Sequence, residues 1–316
     1  MIKIIFNVLR IFANHCVRTF TKPFLSYKIG QNFPFIKKIY GTLYNLTKPK
    51  MVNVFGQWLI LHQNDQVFAN EIISTGTFED TELKMFLSFL QENMVIFDIG
   101  ANIGYYTILA ASRVGSHGQI YAFEPDKENF AILKNNVELN QHSNVKLLQL
   151  AVSDECGYLE LNISLDNKGD HRTRKTSDLN IDRKSYKVKS ITIDSFCDEN
   201  NVYPDVIKMD IQGFEYFAIL GMMNLLTQTQ DLVLLIELWP YGLNESSGLD
   251  TSELLYKQLE NFGFVIFNID ENSKKVSKIN NMNEILMSLQ GEAFTNLLCL
   301  KGKYYDNYND VVLFVT

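Results

Sequence analysis

The sequence contains few cysteines and prolines and no long apolar run. Of its 316 residues, four are cysteine and six are proline. No C-x-x-C pair occurs, and no histidine stands at zinc-finger spacing from a cysteine, so we expect neither a disulfide framework nor a structural zinc site. No apolar run reaches the roughly 18 residues of a membrane-spanning helix. These absences predict a cytoplasmic protein.

Acidic residues are absent from the first 50 residues, which carry nine Lys and Arg. The whole chain has a net charge of −7, so the part that follows is strongly acidic, with 20 basic and 36 acidic residues. General nucleic-acid binding requires a basic field. The charge therefore predicts that nucleic acid is not a partner of this chain.

Residues 1–20 have the pattern of a cationic amphipathic helix. Polar residues recur every three or four positions, at Lys3, Asn7, Arg10, Asn14 and Arg18, and most residues between them are apolar. Two interpretations remain open. One is peripheral contact with an anionic membrane, and the other is packing of the apolar face on the rest of the protein or on a second subunit. The sequence does not indicate an oligomeric state.

We divide the chain into a basic helical extension with short strands, residues 1–76, and an α/β domain, residues 77–316. Within the extension, residues 51–75 are predicted to form short strands, with VNVFGQWLILH as the best candidate. A helix is predicted in residues 77–92, with Asp80 or Thr81 as its cap.

Strand and helix patterns alternate after residue 94. The strands are strongly apolar and read MVIFDI, QIYAFE, NVKLLQLAV, DVIKMD and LVLLIEL. Such strands are typical of a parallel sheet that is covered by helices on both faces. Between Gly157 and Ser195 the rhythm breaks, because two alternating stretches flank a long polar segment. We therefore predict a doubly wound, Rossmann-like α/β sheet with an inserted β-hairpin and loop.

A glycine-rich turn follows the first of these strands, in Asp98-Ile99-Gly100-Ala101-Asn102-Ile103-Gly104. Its spacing is G-x-x-x-G. The G-x-G-x-x-G pattern that seats a dinucleotide pyrophosphate is absent, which argues against a nicotinamide dehydrogenase. Asp98 suits a cationic ligand with an amino group, and Glu124, at the end of the second strand, suits ribose hydroxyls. Together these features predict S-adenosylmethionine as the cofactor.

At this point the sequence resembles the FkbM family of methyltransferases, over roughly residues 77–270. The resemblance is carried, in order, by FDIGANIGYYT, FEPD, VELN, LLQLAVSDECG, IKMDIQGFEYFAILG and LIELWP. It implies a class I methyltransferase, of a family in which several members methylate hydroxyl oxygens of sugars or polyketide products. It places Asp210 opposite the transferred methyl group and Ser153 and Asp154 near the adenine. At the cofactor it places Asp98, Gly100, Ala101, Asn102, Gly104, Glu124 and Pro125.

The sequence departs from the family pattern after Asp210. The usual Val-Glu-Gly-Ala-Glu is replaced by Ile211-Gln212-Gly213-Phe214-Glu215. Gln212 keeps a hydrogen-bonding group but loses a charge, and the larger Phe214 is expected to narrow or repack the adjacent site. The predicted function is S-adenosylmethionine-dependent O-methylation of a hydroxyl in a sugar, glycan, glycolipid or related natural product. Because of Gln212, the alternative is a non-catalytic binding module with the same fold.

A hydroxyl is a weak nucleophile, so its proton must be removed by a base or through a metal ion. We predict Asp210, Glu237 and His171 as catalytic residues. Asp210 and Glu237 end strands, where ligands of open α/β sheets bind, and the surroundings of His171 resemble a stretch found in some family members. The competing interpretations are an organising role for Asp210, an ion-paired core group for Glu237 and a solvated loop histidine for His171. A divalent metal ion stays open, with no ligand assigned.

Overall fold

The structure is a computed structural model, and it describes residues 48–62, 65, 67–163, 172–174, 185–247 and 251–308, with the backbone alone at 172–174. The predictions made for residues 1–20 and for His171 lie outside these ranges. Among the helices within them, none combines the length and the apolar character that crossing a membrane requires.

The described chain begins with a hairpin and two helices, β1 (Met51–Val54), β2 (Gln57–Ile60), α1 (Phe68–Thr75) and α2 (Asp80–Phe89). The remaining elements are, in chain order, β3 (Val95–Ile99), α3 (Tyr105–Val114), β4 (Gln119–Phe123), α4 (Lys127–Leu139), β5 (Val145–Leu148), β6 (Ala151–Val152), β7 (Gly157–Asn162), β8 (Arg172–Arg174), β9 (Ser185–Ile191), α5 (Ile193–Asn200), β10 (Val206–Met209), α6 (Glu215–Leu220), α7 (Met223–Gln228), β11 (Leu232–Leu238), α8 (Pro240–Ser247), α9 (Ser252–Asn261), β12 (Val265–Asp270), β13 (Lys275–Lys278), α10 (Met282–Ser288), β14 (Thr295–Lys301) and α11 (Lys303–Asp306).

The main sheet has eight strands in the order β13-β12-β14-β11-β10-β3-β4-β5. The strands from β11 to β5 are parallel, and β14 runs antiparallel between β11 and β12. The doubly wound α/β sheet predicted from the sequence is thereby confirmed. The chain progresses outward from β3 in one direction and from β10 in the other, so the adjacent ends of β3 and β10 form the crevice where such sheets bind ligands.

The predicted inserted hairpin is also present. Residues 157–162 of β7 pair antiparallel with residues 185–190 of β9, and both belong to a four-stranded sheet of order β6-β9-β7-β8. One expectation is corrected here. The stretch NVKLLQLAV, predicted as one strand, forms two, because the chain leaves the main sheet after Leu148 and β6 pairs with β9. This turn brings the small sheet over the carboxyl edge of the main sheet.

Residues 51–75 form a helix as well as the two short strands that were expected. Helix α1 buries Phe68, Ala69 and Ile72. These side chains share one apolar cluster with residues from β1, β2, α3 and α4. The described part of the predicted extension therefore packs into the α/β domain. The division of the chain after residue 76 stays a prediction.

The cap of helix α2 differs from the one expected. Glu79 occupies the N-cap position, and no side chain at that position caps the helix. Instead, the carboxylate of Glu271, from the turn after β12, accepts hydrogen bonds from the backbone N–H groups of Thr81 and Glu82 at 3.1 and 2.7 Å. An acid that is distant in sequence thus accepts hydrogen bonds from the free N–H groups of the first turn. Its negative charge also interacts favourably with the positive end of the helix dipole.

Two asparagines of α4 hold the β1–β2 hairpin. The Asn136 amide bonds the backbone N–H and C=O of Ile60, and the Asn140 amide does the same for Trp58. Asn136 and Asn140 are four residues apart on the helix, a rise of about 6 Å. Trp58 and Ile60 are two residues apart on the strand, a rise of about 6.6 Å, so the two amides match the two backbone positions that they bind. Asn136 also donates to the carbonyl of Ile103 at 2.7 Å, which ties the hairpin to the glycine-rich turn.

We predict that Asn136→Ala lowers the free energy of unfolding by about 2 kcal/mol or more, because it leaves the partly buried N–H of Ile60 and the carbonyl of Ile103 without partners. Urea denaturation measures this change. The matched control is Asn135→Ala on the same helix, where the side chain is exposed and a change within about 0.5 kcal/mol is expected. Equal losses in the two variants would contradict the proposed tie.

Candidate functional site

A cavity of about 320 Å³ opens at the carboxyl ends of β3, β4, β10 and β11. Of the twelve site residues predicted from the sequence, eight line it: Asp98, Gly100, Ala101, Asn102, Glu124, Pro125, Asp210 and Glu237. Gly104, Ser153 and Asp154 lie outside the described lining. The cavity therefore brings the predicted cofactor motif and the two predicted catalytic carboxylates into one space.

The glycine-rich turn is shaped by a close backbone contact. Gly100 has a φ of 86°, and a Cβ atom there would collide with the carbonyl oxygen of Asp210. The N–H groups of Gly100 and Ala101 both donate to the carbonyl of Phe123, at 2.9 and 3.0 Å. A residue without a side chain is therefore needed where the turn meets the strand end of β10.

Glu124 is buried and held by backbone donors. Its two carboxylate oxygens accept hydrogen bonds from the N–H groups of Asn102 and Asp126, each at 2.8 Å. Burial raises the pKa of Glu124 to about 8, against the effect of these donors. Beside it, the side-chain oxygen of Asn102 is buried without a hydrogen-bond partner. This end of the cavity thus offers fixed acceptors to a ligand that carries hydroxyl or amino groups.

Asp98 lies deeper in the same end of the cavity. Its side chain is 2% exposed and accepts a short hydrogen bond from the hydroxyl of Thr107 on α3. Burial raises the pKa of Asp98 to about 6, and the Thr107 hydrogen bond opposes that rise. The carboxylate is placed to face a positive group of a ligand.

Lys208 is a charged residue in the middle of the sheet. In the backbone register of β10 and β3, Lys208 stands beside Asp98. The Lys208 side chain is 2% exposed, and its ammonium nitrogen lies 3.2 Å from a carboxylate oxygen of Glu82. Burial alone would lower the pKa of Lys208, but the negative charges around it, that of Glu82 foremost, outweigh burial and raise it. The ammonium group also lies 5.1 Å from the ring centroid of Tyr106.

Asp210 and Glu237 face each other at the other end of the cavity. The side-chain amide of Gln212 donates to Asp210 at 2.7 Å and lies 3.3 and 3.4 Å from the two oxygens of Glu237. Burial raises the pKa of Glu237 well above its ordinary value, and the charges of Asp210 and Glu215 add to this rise. Gln212 therefore links the two carboxylates that were predicted to act on the acceptor.

Phe214 does not narrow the cavity. Its ring is 1% exposed and packs with Ala151, Leu159, Leu161 and Val188 in a separate apolar cluster under the small sheet. Of the two expected effects of this larger residue, narrowing is not seen, since Phe214 is not among the described lining residues. The expected repacking takes place beside the site, where the ring supports the small sheet.

Several lining residues were not predicted. They are Phe78, Glu79, Tyr105, Tyr106, Trp239, Glu292 and Phe294. Glu79 lies in the left-handed region, with φ 46°, and its pKa is raised, by burial first and then by the charge of Glu82. Trp239 directly follows the strand LVLLIEL, so its position after a strand end was a usable signal. Residues 78–79 and 292–294 come from distant loops that carry no comparable signal.

Ser153 and Asp154 were expected near the adenine, and neither is among the described residues that line the cavity. Ser153 is fully buried, its hydroxyl donates to Asp154 at 2.9 Å, and its carbonyl packs against Gly221. The preceding residues, Leu150, Ala151 and Val152, line the cavity instead. The chain thus presents an apolar strip at the position where two polar residues were predicted.

The fold and site together define a class of protein. Six strands of the main sheet run in one direction (β3, β4, β5, β10, β11 and β12), and the antiparallel β14 lies between β11 and β12. This arrangement, with a cavity at the β3–β10 crevice, is the class I methyltransferase fold. A family model described as "Methyltransferase FkbM domain" matches residues 98–272, more than half of the chain. The chain therefore belongs to the FkbM methyltransferase family, and the prediction of that family is confirmed.

Several relatives resemble parts of the chain. The hexuronic acid methyltransferase AglP of Haloferax volcanii is 25% identical over 150 residues, which are 47% of this chain and 58% of that protein. The ribosomal protein L11 methyltransferase of Thermoanaerobacter sp. is 35% identical over 79 residues, 24% of each chain. The solved structure of methyltransferase FkbM from Methylobacillus flagellatus KT matches at 16% identity with a TM-score of 0.40, covering 67% of this chain and 47% of that one. The chain thus spans less than two thirds of each of these proteins.

We predict that Lys208→Met lowers the free energy of unfolding by about 3–5 kcal/mol, because the Glu82 carboxylate then stays buried without its counter-charge. Adding Glu82→Gln should recover most of that loss. Chemical denaturation measures both changes. The control is Lys84→Met, which removes a partly exposed ion pair with Asp80 and should cost less than about 1 kcal/mol. A double variant as unstable as Lys208→Met alone would count against the pairing.

Proposed function

We propose that this protein transfers the methyl group of S-adenosylmethionine to a hydroxyl oxygen of a sugar, either free or within a glycan or glycolipid. The observation that carries the proposal is a single cavity with two chemically different ends. One end, at β3 and β4, combines Asp98, Asn102 and Glu124 with a glycine-rich turn, and the other, at β10 and β11, has Asp210 and Glu237. Aromatic rings line the same cavity. The first end suits a cationic nucleoside, and the second suits a hydroxylated acceptor.

The residues of the first end fit S-adenosylmethionine. Glu124 and the unpartnered side-chain oxygen of Asn102 are acceptors for ribose hydroxyls or an amino group. Asp98 is an acceptor for the amino group, and the apolar strip 150–152 is a surface for the adenine ring. When bound, S-adenosylmethionine supplies an electrophilic methyl group on a sulfonium centre. We assign Gly104 to packing, because a side chain there would meet Leu133 of α4.

The second end supplies carboxylates that can take up the proton of the acceptor hydroxyl. In the transfer, the acceptor oxygen forms a bond to the methyl carbon as the carbon–sulfur bond breaks, and the sulfur keeps the electron pair. The protein holds the two reactants in line, and the hydroxyl proton leaves toward the carboxylates of Asp210 and Glu237. His171, which lies outside the described residues, stays a candidate for the same proton.

Two observations support a sugar as the acceptor. The relative AglP is named a hexuronic acid methyltransferase. In this chain, Phe78, Trp239 and Phe294 line the cavity, and aromatic faces pack well against the apolar faces of sugar rings, while carboxylates accept hydrogen bonds from their hydroxyls.

A non-catalytic binding module is the second candidate function. The observation in its favour is Gln212, whose amide occupies hydrogen-bonding capacity on both Asp210 and Glu237. Such a module would bind the cofactor and a hydroxylated partner but would yield no methylated product.

Calorimetric titration with S-adenosylmethionine tests the cofactor end. We expect binding to the unmodified protein and a loss of about tenfold or more in Glu124→Ala, since a hydrogen bond to a charged group contributes roughly 1.5–3 kcal/mol. The control is Glu128→Ala on α4, whose side chain is 57% exposed and lies outside the described cavity lining. Thermal denaturation checks that both variants are folded. Absence of binding to the unmodified protein would refute the cofactor assignment.

Mass spectrometry of a panel of methyl glycosides, hexuronides and glycolipids tests the acceptor end. We expect one acceptor class to gain a methyl group, and Asp210→Asn to lower the rate by about 10²–10⁴-fold while cofactor binding is retained. Cofactor binding with no methylated product across the panel would favour the non-catalytic module. A product with full activity in Asp210→Asn would remove that residue from the proposed role.

A further inference from the structure

Three carboxylates converge beside the acceptor end of the cavity, and two of them, Asp210 and Glu237, belong to its lining. Asp210 follows β10, Glu237 lies in β11 and Glu215 begins α6, and each offers an oxygen within 4.8 Å of the oxygens offered by the other two. Glu215 and Glu237 are 0% and 4% exposed, respectively. Three acids at this separation repel one another strongly in a poorly hydrated environment.

The described cations around this group do not neutralise it. Lys208 is the basic side chain among the described residues of the cavity wall. Its ammonium group is paired with Glu82 and also attracts Asp210, Glu79 and Glu237, so four acids share one positive charge. The Gln212 amide donates to Asp210 and Glu237 but carries no charge. Burying carboxylates without a counter-charge is costly, so a positive ion or additional protons must balance them.

Glu215 provides a second, independent observation. Its Oε1 atom accepts hydrogen bonds from the backbone N–H groups of Ile211 and Gly213, at 3.0 and 3.2 Å. These bonds fix the direction of the carboxylate. Its Oε2 atom is buried and has no hydrogen-bond partner, on a side chain that faces Asp210 and Glu237. A buried carboxylate oxygen that is fixed in direction and accepts no hydrogen bond is suited to coordinate a metal ion.

The donor atoms indicate the class of ion. All three are carboxylate oxygens, which Mg²⁺, Mn²⁺ and Ca²⁺ prefer, whereas zinc and copper sites use nitrogen and sulfur. Rotation of the Gln212 amide by half a turn exchanges its nitrogen for its oxygen, which adds a neutral fourth donor beside the same carboxylates.

We propose that Asp210, Glu215 and Glu237 bind one divalent cation of the Mg²⁺ or Mn²⁺ class at the acceptor end of the cavity. Its role rests on the proposed function: the cation holds the acceptor hydroxyl and lowers the pKa of that hydroxyl, so that the proton is released near neutral pH. The binding itself does not depend on the reaction and is measured without it.

Electron paramagnetic resonance of added Mn²⁺ tests the site on the full chain. We expect loss of the free-ion signal with one site per chain, competition by Mg²⁺, and binding weakened by at least about tenfold in Glu215→Gln and in Glu237→Gln. The control is Glu292→Gln, which removes a charge from the same cavity wall and should leave Mn²⁺ affinity within about twofold. Because Glu215 also holds a backbone turn, Glu237→Gln and Asp210→Asn keep the test valid if Glu215→Gln does not fold.

The outcomes separate this proposal from the proposed function. No Mn²⁺ binding at millimolar ion, or an equal loss in Glu292→Gln, overturns the cation site, whether or not a sugar is methylated. Mn²⁺ binding that follows the expected variants but yields no methylated product supports the site and counts against the reaction. Methylation that persists in a chelator, together with absent Mn²⁺ binding, leaves the function standing and removes the cation.

Discussion

Lys208 lies in the middle of the parallel sheet, and its ammonium group is 3.2 Å from a carboxylate oxygen of Glu82. A charge at this depth is stable only when it is paired. The pair connects strand β10 to helix α2, and the hydroxyl of Tyr106 donates to the other oxygen of Glu82 at 2.8 Å. It also places positive charge between Asp98 and the carboxylates beyond β10 and β11. The acidic site is built around this one buried cation.

The two ends of the cavity satisfy their acids by different means. At the cofactor end, Glu124 is held by backbone N–H groups, and Asp98 is held by a hydroxyl. Two of these donors, the Asn102 N–H and the Thr107 hydroxyl, come from the glycine-rich turn and the helix after it, and the third, the Asp126 N–H, lies two residues after Glu124. At the acceptor end, Asp210 and Glu237 share one amide, and Glu215 keeps an oxygen without a partner. The acids of the first end receive hydrogen bonds from the protein, whereas the second end is short of positive charge.

This contrast also explains what could be predicted from the sequence. The turn from Asp98 to Gly104 and Glu124 follow two predicted strands, and the glycine spacing, the two carboxylates and the family resemblance placed them at one cofactor site. Asp210 and Glu237 were found from their positions at the ends of two further strands. Glu79 and residues 292–294 reach the cavity from loops whose path depends on tertiary packing, which no local pattern encodes. The capping of α2 by Glu271 could not be predicted for the same reason, because Glu271 follows a strand that is far from α2 in the sequence.

Ser153 and Asp154 show a different limit. The family resemblance placed this pair near the adenine, after a stretch that was predicted as one continuous strand. The chain instead leaves the main sheet after Leu148 and starts β6 in the small sheet. The residues that reach the cavity are therefore the apolar ones that precede the pair. Between the two sheets the chain makes a tight turn, in which the N–H of Leu150 donates to the carbonyl of Leu148 at 2.9 Å. This turn changes which side chains face the cavity.

The loop after Asp210 gives the acceptor end its geometry. Gln212 and Gly213 are both left-handed, with φ of 56° and 92°, and a side chain at Gly213 would collide with the backbone of Gly242 on α8. A left-handed glutamine is strained by about 1 kcal/mol or more. The strain is held by Glu215, which accepts the N–H groups on both sides of Gln212. The same carboxylate therefore shapes the turn that presents Gln212 and, through its free oxygen, completes the acidic group that the amide alone does not neutralise.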